Sequence, residues 1–463
     1  MKSKSAMLRS PTCVALVAAL ALAGCINLAP EHKRPDAPVA TSWPAPVASE
    51  VQALNWEQFY AADARLVALI HAALDHNRDL RVAALNAEQA RQLARVSDAN
   101  RWPTLGLGGS ASRAPNASGV NTTTYEAGVA VSSYELDLFG AARNASDAAT
   151  ARYFASAAGV RAARISLIAS VAAAHYSLLA DTELLDLAER TLATREQSER
   201  LTRLMFDGGA TSAIDMAAAE SATAAAASAV AQAKRQQGQD TNALVLLTGE
   251  PGLANELPSA RALADTALPE VPAGLPSEVL IRRPDVLQAE STLAASEADV
   301  GAARANFFPQ IALTADLGTA STALRQLFKN TIFTWTAQAF VPIFDAGRNR
   351  ANLEAAKAAQ GAAVATYEKT VQTAFREVSD ALIARETWAN QLNSQQRQTD
   401  AERKRLELVQ LSAHHGAAST LDLLDAERSS FAAEQALVQA RMAGLLAGVQ
   451  LYKALGGGDV PAQ

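Results

Sequence analysis

Two acidic residues and two histidines lie close together in the sequence, beside one predicted turn. Asp422 and Asp425 are three residues apart, so on a helix they share one face. His414 and His415 immediately precede Gly416 in the turn. Grouped carboxylates attract cations and repel anions, and histidine changes its charge between pH 5 and 8. The chemistry available at this turn is therefore ion selection and pH response.

The turn belongs to a long internal duplication. The run Gly209–Asp215 returns as Gly416–Asp422, which is 207 residues later. The run Ala99–Pro103 returns, at an offset of 206, as Ala305–Pro309. Solenoid repeats have periods of about 20–50 residues, so this period indicates two similar half-molecules.

Comparison of the two copies separates capping residues from residues that need another explanation. Ser212 and Asp215 form a predicted capping box, and Ser419 with Asp422 repeats it. Both aspartates can therefore be helix starts, although Asp422 also remains a candidate for ion selection. Asp425 differs, since its counterpart is an alanine at position 218 and no cap needs an acid there.

His414 and His415 have two interpretations. They could form a pH-dependent latch, or they could be solvated side chains at a turn.

Enzymatic motifs are absent from the sequence. The glycine-rich run Gly106–Gly109 lies in a predicted strand and precedes no helix, so it is not a phosphate loop. The six histidines show no His-Glu-x-x-His motif and no cysteine partner. We therefore expect a protein that is not an enzyme and that has neither a metal site nor a bound cofactor.

The N-terminus predicts a lipid anchor. Lys2, Lys4 and Arg9 precede an apolar stretch too short to span a bilayer, and Leu22–Cys25 reads Leu-Ala-Gly-Cys. This is typical of a bacterial lipobox, in which Cys25 becomes the first residue and carries N-acyl and S-diacylglycerol chains. The alternative is an ordinary signal peptide with a chance cysteine. With one cysteine left, an internal disulfide is excluded.

Charge and hydropathy limit the possible partners. Removal of the signal segment changes the formal charge from −6 to −9, which disfavours nucleic acid as a partner. The best candidate in the mature chain, Ile165–Ala180, is interrupted by His175 and is too short for a transmembrane helix. A chain of this kind that crosses a membrane must use strands.

Four segments are predicted as strands. The first pair is Thr104–Ala114 and Tyr125–Leu138, separated by the polar loop Pro115–Thr124. The second pair is Ile311–Thr319 and Ile332–Phe344. In the fourth strand one face carries Phe333, Trp335, Ala337, Ala339, Val341 and Ile343, and polar residues lie on the other face. This alternation fits a transmembrane barrel as well as a soluble sheet with one face buried.

The predicted helices favour the membrane interpretation. Ala141–Asp207 and Arg348–His415 contain no proline and one glycine each, so each predicts a helix of about 100 Å. Another helix is predicted over Asp63–Asn100, which Pro103 ends. A coiled coil of the cytosol would not carry paired strands at one end and a lipobox. Four strands cannot close a barrel, so several copies must complete one wall.

The sequence resembles a known family over nearly the whole mature chain. Arg282–Val286, followed by Gly301–Leu313, resembles the signature of the outer-membrane efflux factors. Asn55–Tyr60 is similar to the opening of their NodT-type lipoproteins, which serve resistance–nodulation–division (RND) pumps. Ile26 after Cys25 fits delivery of the lipoprotein to the outer membrane.

The resemblance implies an α+β membrane protein with a TolC-like trimeric fold. Three copies of four strands would form a 12-stranded transmembrane β-barrel, continued by a long periplasmic α-helical barrel. The implied partners are two further copies of the chain, a periplasmic membrane-fusion adaptor, an inner-membrane RND pump and outer-membrane lipid. The implied function is passive export of drugs or other small molecules from a Gram-negative cell. The alternative is a lipid-anchored periplasmic coiled-coil scaffold or adhesin.

The resemblance also assigns roles at the turns. Asp422 and Asp425 match paired aspartates that ring the periplasmic gate of such channels, and Asp215 is the weaker third candidate. In the family an arginine two residues after the turn glycine often ties the gate shut. Ala418 stands there, so the latch must differ in this chain, and His414 and His415 are the candidates.

These expectations divide the chain into six segments. They are a signal peptide (1–24), a lipidated N-terminal segment (25–62), a first repeat (63–255), an inter-repeat segment (256–282), a second repeat (283–456) and a C-terminal tail (457–463).

Overall fold

The structure is a computed structural model that describes residues 27–40, 42–43, 55–115, 117–251, 262–269 and 280–458. The predicted signal peptide and Cys25 lie outside the described residues. Most of the predicted inter-repeat segment (256–282) and of the tail (457–463) lies outside them as well.

Two similar series of elements follow one another along the chain. The first comprises α1 (Trp56–Phe59), α2 (Ala64–His76), α3 (Arg78–Ala99), β1 (Leu105–Pro115), β2 (Asn121–Leu136), α4 (Ala141–Asp207) and α5 (Ala213–Thr248). The second comprises α6 (Pro284–Ala305), β3 (Gln310–Ser321), β4 (Thr331–Phe340), α7 (Arg348–His414) and α8 (Thr420–Ala454).

The long helices follow the duplication closely. α4 and α7 have 67 residues each, and α7 begins and ends 207 residues after α4. α8 begins at Thr420, 207 residues after the start of α5 at Ala213. The prediction of both long helices is confirmed, with α7 ending one residue earlier than expected.

The predicted single helix over Asp63–Asn100 is wrong. Asn77 has an extended conformation between α2 and α3. Its side chain accepts a hydrogen bond from Leu80 N–H at 2.9 Å and donates one to the Leu247 carbonyl oxygen at 2.9 Å. Asn77 therefore caps α3 and ties the break to α5, and a contact with so distant a residue leaves no local signal in the sequence.

The strands form one antiparallel sheet in the order β1-β2-β3-β4. The predicted loop Pro115–Thr124 is too long, because Pro115 already pairs with Asn121. A bulge at Ser133, which has a positive φ of 56°, shifts the β2–β3 register between Val131 and Tyr134. The prediction that β4 continues to Phe344 is wrong, since the strand ends at Phe340 and Pro342 has no N–H for a ladder.

The chain forms two compact units. The first comprises Met1–Asp36, Leu85–Ala157 and Gln288–Lys369, and it contains the sheet. The second comprises Ala37–Ala84, Ala158–Leu287 and Thr370–Gln463. Its hydrophobic core includes Phe59, Ile70, Val171, Tyr176 and Tyr452.

One described helix, α4, includes a segment that is long and apolar enough to cross a membrane by length and composition. This differs from the prediction that the mature chain contains no stretch suited to a transmembrane helix. Leu167, Ile168, Val171 and Tyr176 of α4 pack into the core of the second unit, which accounts for its apolar character.

Candidate functional site

The turns that join the long helices to their partners are closed by capping boxes. The Ser212 hydroxyl caps Asp215 N–H at 3.2 Å, and the Asp215 carboxylate accepts from Ser212 N–H at 3.2 Å. Ser419 and Asp422 repeat the arrangement, with distances of 3.2 and 3.1 Å. Hydrogen bonds from the serine hydroxyls hold the pKa of Asp215 and of Asp422 below the ordinary value.

Asp425 occupies a different environment one turn further along α8. Its Oδ2 lies 2.6 Å from Arg405 Nη2 on α7, and its Oδ1 lies 2.6 Å from Arg428 Nη2 on α8. Hydrogen bonds from Arg405 and then from Arg428 hold the pKa of Asp425 below its usual range. The structure thus places Asp425 between two guanidinium groups of its own chain, where it joins α7 to α8.

His414 and His415 lie at the end of α7. Both side chains are exposed, and their rings contact each other edge to face with centroids 5.6 Å apart. Within the described part of the chain, neither ring forms an ion pair. The two rings thus pack on one another, and the role of His414 and His415 as a latch stays a prediction.

A buried ion pair lies deeper between the helices. Arg195 of α4 contacts Glu427 of α8, and their side chains are 8% and 6% exposed. Arg195 Nη2 also reaches the Leu424 carbonyl oxygen at 3.5 Å. Burial raises the pKa of Glu427, and the positive charge of Arg195 partly offsets this effect.

Two carboxyl groups meet between α4 and α5. Asp181 forms a side-chain hydrogen bond with Asp240, whose Oδ1 also accepts from Gln236 Nε2 at 3.3 Å. Burial, followed by the hydrogen bond and the repulsion from Asp240, raises the pKa of Asp181 to about 7. The pair therefore retains a proton near neutral pH.

The start of α2 is held by a second buried pair. Asp63 caps α2 by accepting from Leu66 N–H at 3.0 Å, and its Oδ2 lies 2.9 Å from His175 Nε2. Burial alone would raise the pKa of Asp63, but the hydrogen bonds from His175 and Leu66 lower it below the ordinary value.

The sheet has two chemically different faces, as the predicted alternation requires. The register places Leu107, Val129, Leu317 and Phe333 side by side in one row across all four strands. The opposite face carries small and polar residues, namely Gly108, Ser110, Glu126, Gly128, Ala130, Asp316, Gly318, Thr334, Thr336 and Gln338. Phe333 and Trp335 of the apolar face are 64% and 69% exposed.

The segment from Leu28 to Arg34 lies along α6. Arg34 binds Glu290 through Nε and Nη2 at 2.8 and 2.9 Å, and His32 Nδ1 lies 2.6 Å from Glu297 Oε2. Arg304 donates to the Leu28 carbonyl oxygen at 2.9 Å. This segment therefore follows α6 to the end that leads into β3.

The two capping boxes are predictable from the sequence, whereas the arginines that bind Asp425 were not predicted. Arg428 is three residues after Asp425, so the same helical spacing that paired the aspartates could have identified it. Arg405 and Asp425 lie at similar distances on either side of the turn, and counting along the hairpin could have paired them. The contact of Arg195 with Glu427 joins residues of different repeats and leaves no local signal.

Comparisons with known proteins identify the family of the chain. A model of the outer membrane efflux protein family matches residues 69–250 and 275–457. The chain is 42% identical over 460 residues to the probable efflux pump outer membrane protein TtgC of Pseudomonas putida, covering 96% of this chain and 94% of that protein. It is 40% identical over 458 residues to the outer membrane protein OprJ of Pseudomonas aeruginosa, covering 96% and 95%.

A solved structure shows the same fold. The MtrE outer membrane channel of Neisseria gonorrhoeae, in its open state, matches with a TM-score of 0.85 and 39% identity, over 93% of this chain and 98% of that one. The predicted TolC-like fold and the predicted outer-membrane location are confirmed. The chain belongs to the outer membrane efflux protein family.

Proposed function

We propose that three copies of this chain form the exit duct of a tripartite RND-type efflux system. The observation that carries the proposal is the four-stranded sheet with one apolar face. Its outer strands, β1 and β4, each pair on one side among the described strands. In lipid, unpaired backbone groups cost several kcal/mol each, so β4 of one copy must pair with β1 of the next.

The size of the barrel supports three copies. Two copies give eight strands, and an eight-stranded barrel has an interior just wide enough for side chains to fill. Three copies give twelve strands. Because each copy adds four strands, this is the smallest barrel of this chain that is wider than the eight-stranded one. The polar face, with Gly108, Gly128 and Gly318 in one row, then lines a water-filled interior.

A lipid-anchored scaffold or adhesin was the alternative from the sequence. A scaffold in the periplasm would expose the apolar face of the sheet to water, which is unfavourable. The family membership also favours the duct. The duct carries solutes passively, and its energy comes from an inner-membrane pump reached through a periplasmic adaptor. Three proteins similar to this chain are named as a probable efflux pump protein, an antibiotic efflux pump protein and a toluene efflux pump protein. We therefore propose small organic molecules as the cargo.

The test is export in cells. Deletion of the gene is expected to raise sensitivity to the cargo, and restoration of the full chain is expected to reverse it. Co-purification of the cross-linked protein with an adaptor and a pump is expected in the same cells. Full export in the deletion strain, together with no adaptor that co-purifies with the protein from cells that contain it, would contradict the proposal.

We also propose that Cys25 carries the lipid anchor. Asn27 is two residues after Cys25, so the two Cα atoms are at most about 7 Å apart. The segment from Leu28 to Arg34 binds α6, which leads into β3, and this position fits an anchor at the inner face of the outer membrane. Cys25→Ser is expected to abolish incorporation of labelled palmitate, and incorporation that survives the change would reject the anchor.

A further inference from the structure

The hairpin end of the sheet carries basic residues and no acidic ones. The β1–β2 and β3–β4 hairpins lie at one end of the strands, and the junctions with α3, α4, α6 and α7 lie at the other. Arg113 lies near the end of β1, and Arg325 and Lys329 lie in the β3–β4 loop. The segments 110–125 and 317–333 contain no aspartate or glutamate, although the whole chain has a formal charge of −6. This end of the sheet is therefore positively charged in an acidic protein.

The strand register brings Arg113 to the level of the β3–β4 loop. Arg113 pairs with Thr123 in the β1–β2 ladder, and Tyr125 pairs with Ser321 in the β2–β3 ladder. Arg113 is thus two residues beyond the level of Ser321, where β3 ends and the loop begins. Neighbouring strands are about 4.8 Å apart, so β1 lies about 10 Å from β3. Arg113 also shares the apolar face with Leu107, because six residues separate them and side chains alternate.

The β3–β4 loop is folded and exposes large apolar side chains. Its 3₁₀ turn begins at Leu324, and the Gln326 N–H donates to the Ala323 carbonyl oxygen at 2.9 Å. Leu327 is buried, whereas Leu324 and Phe328 are 62% and 81% exposed. The loop therefore presents two large apolar side chains close to its two cations.

The cations of this end are available to a partner. Arg113, Arg325 and Lys329 are exposed, and none of them forms an ion pair within the described part of the chain. Arginines of the helices such as Arg203 and Arg428 do bind carboxylates of the chain. Guanidinium groups bind phosphate strongly, and basic residues at a membrane surface attract anionic lipids. Exposed apolar side chains beside them favour the boundary between headgroups and acyl chains.

We propose that Arg113, Arg325 and Lys329 form a binding surface for the phosphate groups of a phosphorylated glycolipid in the outer leaflet of the outer membrane. The two exposed apolar side chains of the loop lie at the boundary of its acyl chains. The long helices are periplasmic, so the opposite end of the sheet faces the outside of the cell, where this leaflet lies. The surface requires the outer-membrane location of the chain and does not require that the assembly conducts.

The test is native mass spectrometry of the detergent-solubilised full-length protein, with bisphosphorylated lipid A as the probe. The wild type is expected to prefer it to monophosphorylated lipid A by about fivefold, the effect of one contact between a basic residue and an anionic lipid. The triple substitution Arg113→Gln, Arg325→Gln and Lys329→Gln is expected to remove the preference and to weaken binding by about tenfold or more. Lys329→Gln alone is expected to weaken binding by about fivefold.

The matched control replaces Arg81, Arg235 and Lys369 by glutamine. These residues are exposed on α3, α5 and α7, and their replacement removes the same charge from the helices. The control is expected to bind both lipids as the wild type does. Inorganic phosphate in excess is expected to leave bisphosphorylated lipid A bound, because it lacks acyl chains. Displacement by inorganic phosphate would show a site for free phosphate and would overturn the lipid as ligand.

Two further results would overturn the inference while the duct stands. They are a triple variant that binds bisphosphorylated lipid A as tightly as the control, or a wild type that binds the two lipids equally. A wild type that prefers bisphosphorylated lipid A and does not conduct in planar bilayers would overturn the duct and leave the lipid surface in place.

Discussion

Asp425 has different contacts from the other two aspartates at the turns. Asp215 and Asp422 are fixed in capping boxes, whereas Asp425 binds Arg405 and Arg428. Its removal would take one carboxylate away from two guanidinium groups, of which Arg405 keeps its contact with Glu402, so the charge near this position of α8 would become more positive. Removal of Asp215 takes away the N3 carboxylate of a capping box and leaves its N-cap, Ser212, in place. We therefore expect Asp425 to affect the ion selectivity of the duct and Asp215 to affect the stability of α5.

We expect Asp425→Ala to lower the cation-over-anion permeability ratio by about two- to fivefold, the range of one exposed ion pair. Asp215→Ala is expected to leave that ratio close to the wild-type value. Reversal potentials in a salt gradient measure both. Equal effects of the two substitutions on the permeability ratio would show that Asp425 has no special role in ion selectivity.

Asp181 predicts a pH dependence of stability. Its pKa of about 7 in the folded protein exceeds the unfolded value near 4, so the folded state binds more protons between these limits. Stability must then fall as the pH rises from about 4 to 7. Asp181→Asn removes this loss and is expected to raise the unfolding temperature at pH 8 by about 2–4 °C, with little change at pH 4.

The control for Asp181 is Asp186→Asn on the same helix. Asp186 is exposed and binds Arg190 at 3.3 Å, so its replacement is expected to be nearly neutral at both pH values. Thermal unfolding followed by circular dichroism distinguishes the two variants. An Asp181→Asn variant with the wild-type dependence on pH would show that the pair holds no proton.

At the scale of elements, the sequence predicts the regular segments well and the interruptions poorly. Both 67-residue helices follow from the absence of proline, and the strands follow from alternation. The break at Asn77 depends on Leu247, and the bulge at Ser133 depends on pairing with β3. Such features are decided by contacts with distant parts of the chain, which a local pattern does not contain.

The glycines of the sheet give a prediction at this scale. A Cβ on Gly128 would lie 2.6 Å from the Gly318 Cα, whereas a Cβ on Gly108 would meet nothing within 4 Å. Gly128→Ala is therefore expected to cost about 1–3 kcal/mol of unfolding free energy. Gly108→Ala, on the adjacent strand and the same face, is expected to change it by less than about 0.5 kcal/mol.

Urea unfolding from lipid vesicles measures both glycine variants. Similar losses would mean that β2 and β3 do not approach closely at Gly128 and Gly318.

At the scale of the whole molecule, the sequence points to an assembly that one chain cannot complete. Four strands with one apolar face need partners in lipid, and the long helices repeat with the duplication. The family resemblance was carried by short motifs such as Gly301–Leu313 and is confirmed by the family match. Contacts between the halves, such as Arg195 with Glu427, became visible only in the folded chain.

Single-channel recording on the purified oligomer measures whether the chain forms a water-filled duct. We expect a heat-modifiable oligomer of three chains that gives discrete conductance steps in planar lipid bilayers, because twelve strands enclose a water-filled passage. Oligomers of three chains that insert into the bilayer without conducting, or a protein that remains a single chain in outer-membrane extracts, would contradict it.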